Sequence, residues 1–128
     1  MNLLLDTHLL IWLAADILPS DAADYIMDES NHLFFSSASI WEIVIKRGLN
    51  RADFNVDANL LLSGLLENGY EQLSITAQHA LLTGTMPMLH KDPFDRILLA
   101  QSIAENIPIL TADQRLAEYP ASVIVIKK

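Results

Sequence analysis

Apolar residues fall in short runs divided by stretches with helical spacing. The first run, Leu3-Leu4-Leu5, lies within Asn2-Leu3-Leu4-Leu5-Asp6-Thr7 and shows no period-two alternation. It reads as a parallel strand covered on both faces and ending in a carboxylate. Helical character follows over residues 7–15. Pro19-Ser20-Asp21 opens a second helix to about residue 29, with Ser20 or Asp21 as the N-cap. Residues 32–36 read as a strand and 39–47 as a helix, with Lys46 and Arg47 near its end and Gly48 as C-cap. A loop covers 51–56, and a leucine-rich helix over 57–66 is closed by Asn68-Gly69. A short strand is expected at 71–75, and Thr76 caps a helix to about residue 84. Residues 85–91, holding Met86, Pro87, Met88 and His90, read as irregular. The best amphipathic helix is predicted over 93–106, entered through Asp92-Pro93 with proline at N1. A strand at 108–111, a short helix at 113–118 and a strand at 122–126 complete the pattern.

Strands alternating with helices predict an α/β protein. The expected architecture is a three-layer α/β/α sandwich with a mainly parallel central sheet. At 128 residues the chain is expected to form one domain, 1–128, able to bury a real core. It is 52% hydrophobic, with a mean hydropathy of +0.28. The longest unbroken apolar run, residues 9–15, falls far short of the roughly 20 residues of a bilayer span. No basic segment precedes it, so neither a signal peptide nor a membrane partner is expected. The surplus apolar surface suits a partner interface. The absence of cysteine excludes a disulfide scaffold and a thiolate zinc site, and fits a cytoplasmic location. A net charge of −8 argues against a passive nucleic-acid binder. It does not argue against a metal-dependent nuclease, whose own acids contribute to that charge.

Four acids stand out: Asp6, Glu42, Asp95 and Asp113. Each has a simple local explanation. Asp6 and Asp113 can cap the helices that follow them, Ser39-x-x-Glu42 is a capping box, and Asp95 suits a helix first turn behind Asp92 as cap. Their placement as a set is harder to explain that way. Asp6 and Asp113 both follow apolar strands, at the carboxyl edge of a parallel sheet where ligands bind. Glu42 and Asp95 are expected in first turns of helices that start near that edge. Packed carboxylates raise each other's pKa, and a hard cation keeps them ionised. All-oxygen ligation without cysteine suits Mg²⁺ or Mn²⁺.

These segments resemble the PIN-domain ribonucleases of the VapC toxin type. Leu3-Leu4-Leu5-Asp6-Thr7-His8 resembles the family's opening strand and first acid, and Ser39-Ile40-Trp41-Glu42-Ile43 its second. Asp92-Pro93-Phe94-Asp95-Arg96 with Leu98-Leu99-Ala100-Gln101 resembles the third, and Leu110-Thr111-Ala112-Asp113 the fourth. The resemblance implies a PIN fold and metal-dependent cleavage of RNA that leaves a 5′-phosphate and a 3′-hydroxyl. It also implies a homodimer and a small antitoxin whose apolar segment lies along the toxin. Asp6 is then the main metal ligand, and Asp95 and Asp113 complete the site. Glu42 binds a second ion or orients the attacking water. Asp92 is the helix cap.

Thr7 and Thr111 are candidates for hydrogen-bonding the carboxylates or the water. Lys46, four residues after Glu42, is expected to form a helix-surface ion pair or to touch phosphate. Arg96 is a candidate RNA contact, with a solvated or ion-paired role as its alternative. His8 and His90 flank the acids without zinc spacing. Trp41 reads as core or interface, and Arg47 and Arg51 as a small basic rim. Three rival functions are open. A phosphoryl-accepting domain of flavodoxin-like fold would need an acid pair after the first strand. A phosphatase with a nucleophilic aspartate would need an acid at position 8, which is His8. A non-catalytic PIN-like scaffold would have no use for four grouped acids.

Overall fold

The leucine run forms β1 (Asn2–Leu5), and every strand that joins it runs parallel. The computed structural model describes residues 1–87 and 92–128; Met88 and His90 lie outside the described residues. After β1 come α1 (Thr7–Ala14), α2 (Ser20–Met27), β2 (His32–Ser36) and α3 (Ser37–Gly48). Then follow α4 (Ala58–Glu67), β3 (Glu71–Leu73), α5 (Ala77–Leu82) and α6 (Pro93–Glu105). The chain ends through β4 (Ile109–Thr111) and β5 (Val123–Val125). Short 3₁₀ turns occupy Ala52–Phe54, Thr83–Thr85 and Gln114–Glu118.

The strand order is β3-β2-β1-β4-β5. This differs from the flavodoxin-like order 2-1-3-4-5, so the fold of that rival is excluded. Register is set by Leu4 opposite Phe34 on one side and opposite Ile109 on the other. Successive strand residues feed opposite faces, which is why the central strands carry no polar alternation. Leu3, Leu5, Phe35 and Leu110 join the core beneath α1, α3 and α4. Leu4, Phe34 and Ile109 join the core beneath α6. The three layers are therefore two apolar cores divided by one sheet.

Several local expectations are corrected. Helix α6 is not amphipathic: Leu98 to Ser102 are consecutively buried. Its polar members are bonded inside, with the Gln101 amide nitrogen donating to the Leu73 carbonyl and Ser102 to the Ile107 carbonyl, while Gln101 Oε1 is buried without a partner among the described residues. Neither Ser20 nor Asp21 caps α2; Pro19 holds the cap position without a side-chain bond. Asp21 Oδ2 instead accepts from the Lys127 N–H, tying α2 to the far end of the chain. Gly48 is still helical, and the left-handed residue beyond α3 is Asn50, at φ 61°. Gly69, at φ 82°, does supply the positive φ after α4, and Asn106, at φ 54°, ends α6. Among the described residues no helix is long and apolar enough to cross a membrane.

Phe35 is fully buried on β2, in the core beneath α1, α3 and α4. Phe35→Ala is expected to lower stability by about 3–5 kcal/mol. The check is a urea titration, in which the midpoint falls while the slope stays unchanged.

Candidate active site

The chain leaves β1 toward β2 and β3, then returns to place β4 on β1's other side. The gap beyond the carboxyl ends of β1 and β4 is thus the sheet's switch point, where such folds bind ligands. Asp6 sits there as N-cap of α1, accepting from the His8 N–H at 3.3 Å. Thr111 ends β4, and its hydroxyl donates to Asp6 Oδ2. The same hydroxyl oxygen accepts from the Asp113 N–H at 3.0 Å. Thr111 therefore links the first and the last acid across the strand pair. Asp113 caps the turn at Gln114–Glu118, accepting from the Arg115 N–H.

Asp92 caps α6, taking the N–H groups of Phe94 and Asp95 on Oδ1. That leaves Asp95 in the helix's first turn. Glu42 arrives differently. Ser36, not Ser39, caps α3 by accepting from the Ala38 N–H, so Glu42 lies in the second turn and belongs to no capping box. It is 3% exposed. A cleft of about 370 Å³ is lined by all four acids, with Asp92, His8, Lys46, Arg51 and Arg115 among its other walls.

Electrostatics follow from this crowding. Burial, and then the negative charges of Asp6, Asp92, Glu42 and Asp113, push the Asp95 carboxyl up to about 8. Burial also raises Asp6, opposed by the Thr111 hydroxyl. Lys46 answers part of the charge. Burial alone would lower its pKa, but Glu42 and Asp92 outweigh that and raise it. Its Nζ lies 2.6 Å from Glu42 Oε2 and 3.4 Å from Asp92 Oδ2. The expected surface pair is thus a largely buried one inside the cleft wall.

Among the described residues, no three acid or histidine side chains stand ready to hold an ion as they lie. The four acids expected to converge share a cleft but do not form a closed ligand set. Cationic side chains account for part of the difference: Lys46 takes one oxygen of Glu42, and Arg115 grips both oxygens of Asp113. The residues nevertheless fit a hard divalent cation. The acidic donors are all oxygens, burial and then the neighbouring carboxylates push the Asp95 carboxyl up to about 8, and Glu42 Oε1 is buried without a hydrogen-bond partner among the described residues.

Other candidates move. Thr7 does not reach a carboxylate; its hydroxyl pairs with that of Ser39 at 2.8 Å and pins α1 to α3. Arg96 does not enter the cleft. It is buried, donating to the carbonyls of Thr83, Met86 and Pro87, and so braces the segment before α6. Arg47 donates to the Val56 carbonyl, whereas Arg51 pairs with Asp53 and lines the cleft. His8 bonds the same Asp53 and meets the Phe54 ring edge-on. Trp41 is 58% exposed, edge-on to Phe94, rather than in the core. The sequence reading missed Arg115, Trp12 and Lys128 as cleft residues. Arg115 had a usable signal, being two residues beyond Asp113; Lys128 had none.

A model of the PIN domain matches residues 3–122. The chain belongs to the PIN-domain family. Its PIN fold is similar to that in VapBC2 from Rickettsia felis, solved bound to a DNA fragment from its promoter. That match has a TM-score of 0.72 at 16% identity and covers 99% of this chain and 98% of that one. VapBC-1 from nontypeable Haemophilus influenzae is similar at a TM-score of 0.66 and 17% identity, covering 98% of each chain. The PIN domain endonuclease Utp24 gives 0.54 at 12% identity, covering 91% of this chain and 74% of that one. No curated protein matches the sequence.

The raised Asp95 has a signed consequence. A carboxyl lifted from 3.8 to about 8 stabilises the folded state fully below pH ~4, and that stability is lost as pH rises through about 8. In chelator, Asp95→Asn is expected to match the wild type near pH ~4 and exceed it in Tm increasingly up to about pH 8, where the difference levels off. Thermal unfolding across that range checks it.

Proposed function

We propose that this PIN domain is a Mg²⁺- or Mn²⁺-dependent endoribonuclease, the toxin of a toxin–antitoxin pair. One observation carries the reading. Asp6, Glu42, Asp95 and Asp113 line a single cleft at the sheet's switch point, where burial and then the other carboxylates push Asp95 up to about 8. Four carboxylates kept together at that cost call for a cation to relieve them.

A bound divalent ion would lower the pKa of its water and offset charge building on the scissile phosphate. The chain's own residues do the rest. Asp6, Asp95 and Asp113 would hold the ion, directly or through water. Thr111 fixes the orientation of Asp6 through its hydroxyl. Glu42 orients the attacking water. Arg51, Arg115 and Lys128 stand along the cleft and give RNA phosphates a cationic rim on a chain of net charge −8.

A second groove, of about 690 Å³ and mostly apolar, runs between α1, α2 and α4, lined by Leu13, Ile26, Met27, Leu60 and Leu61. We assign it to the apolar segment of a cognate antitoxin. Exposed Trp41 and Val44 on α3 are assigned to a homodimer contact. A cytoplasmic location accords with this role.

The test is cleavage of a mixed RNA pool by purified, antitoxin-free protein, with Mg²⁺ or Mn²⁺ and with chelator. Chelator is expected to abolish cleavage. Asp6→Asn and Asp95→Asn are each expected to reduce it by at least about a hundredfold, beyond the 10–100-fold typical of outer-shell partners. Undiminished cleavage by folded variants would mean a contaminant. No cleavage and no metal binding would leave a partner-binding scaffold.

A further inference from the structure

Lys46 is enclosed on several sides by groups that attract a cation. Its Nζ contacts Glu42 Oε2 at 2.6 Å and Asp92 Oδ2 at 3.4 Å. The rings of Phe54 and Phe94 present their π faces to the same nitrogen, with centroids 4.8 Å and 5.5 Å away. The pair is secured by the helix itself, since residues four apart on α3 lie one above the other. Asp92 is held from the other side, its Oδ1 committed to the first N–H groups of α6. The ammonium thus bridges α3 and α6 where two carboxylates face each other. Meanwhile Glu42 Oε1 is buried and has no hydrogen-bond partner among the described residues. A buried carboxylate oxygen left unpaired is costly unless a functional ligand completes it.

We propose that Lys46 fills the position a second divalent ion would take between Glu42 and Asp92, so that the cleft holds one ion and Glu42 acts through a water at Oε1. This rests on the metal-dependent reading of the same cleft. A divalent ion placed beside the ammonium would be repelled by it in a poorly solvated wall. The ammonium also ties down Glu42 Oε2, leaving only Oε1 to act. Mg²⁺ itself keeps several waters and needs only one or two carboxylates, so one ion on Asp6, Asp95 and Asp113 leaves a water for Glu42 to orient. Lys46 is a positioning residue, acting through Glu42.

The experiment titrates Mn²⁺ into the full chain and counts bound ions by the loss of the free-ion electron paramagnetic resonance signal. Wild type is expected to bind one Mn²⁺ and Lys46→Met two, with circular dichroism showing both folded. Lys46→Arg, which keeps the charge, is expected to return the count to one. Glu42→Gln is expected to retain one ion at little-changed affinity, and Asp6→Asn to lose it. Two ions on the wild type, a single ion on folded Lys46→Met, or loss of the ion in Glu42→Gln would each overturn the role given to Lys46 and leave the metal reading standing. If Lys46→Met does not fold, the wild-type count and Glu42→Gln decide. No Mn²⁺ on the wild type would overturn both.

Discussion

Asp6 is a buried carboxylate at the seam where the sheet changes direction, held by a hydroxyl from the strand across the seam. Much of the site follows from that placement. A carboxylate there needs a partner for each oxygen. The Thr111 hydroxyl takes one and the His8 N–H the other. Thr111 can reach only because β4 lies in register beside β1, with Leu5 opposite Leu110. The hydrogen bond and the strand order are two aspects of one constraint.

Charge balance shapes the rest of the cleft. Carboxylates from four separate segments accumulate at one edge, and burial makes Asp6 and Asp95 harder to ionise. The protein answers with cations of two kinds. Lys46 is built into the wall between two helices and cannot leave without exposing Glu42 and Asp92 to each other. Arg115 is mostly exposed, and its grip on Asp113 is a contact that solvent and ligands can compete for. The first is part of the architecture, the second an occupant of it.

The sheet and its carboxyl edge were legible because strand burial leaves a strong trace. Leu3-Leu4-Leu5 and the apolar stretch before Thr111 mark β1 and β4, and an acid after such a run lands at the edge by geometry alone. The start of α3 was not legible. Ser36, Ser37 and Ser39 are equally good caps by type, and only the end of β2 decides among them. The burial of the Lys46–Glu42 pair and the role of Arg96 were missed for a related reason. Helical spacing says which residues share a stripe but not what lies opposite it. Lys46 turned out to face α6, and Arg96 three carbonyls of the preceding segment. The amphipathic reading of α6 failed because Gln101 and Ser102 are buried and bonded, where polarity alone suggested solvent.

The strand order also has a consequence in time. β1 is the first of the five strands in sequence order, yet one of its two neighbours, β4, is the fourth. Until residues 109–113 have emerged from the ribosome, one edge of β1 has no partner, Asp6 lacks its hydroxyl, and the fourth acid does not yet exist. A chain cut before β4 keeps the segments of β1, β2 and β3 but possesses no cleft. Pairing across so long a stretch of sequence is slow as well as late. No fragment that stops before residue 109 therefore carries the site.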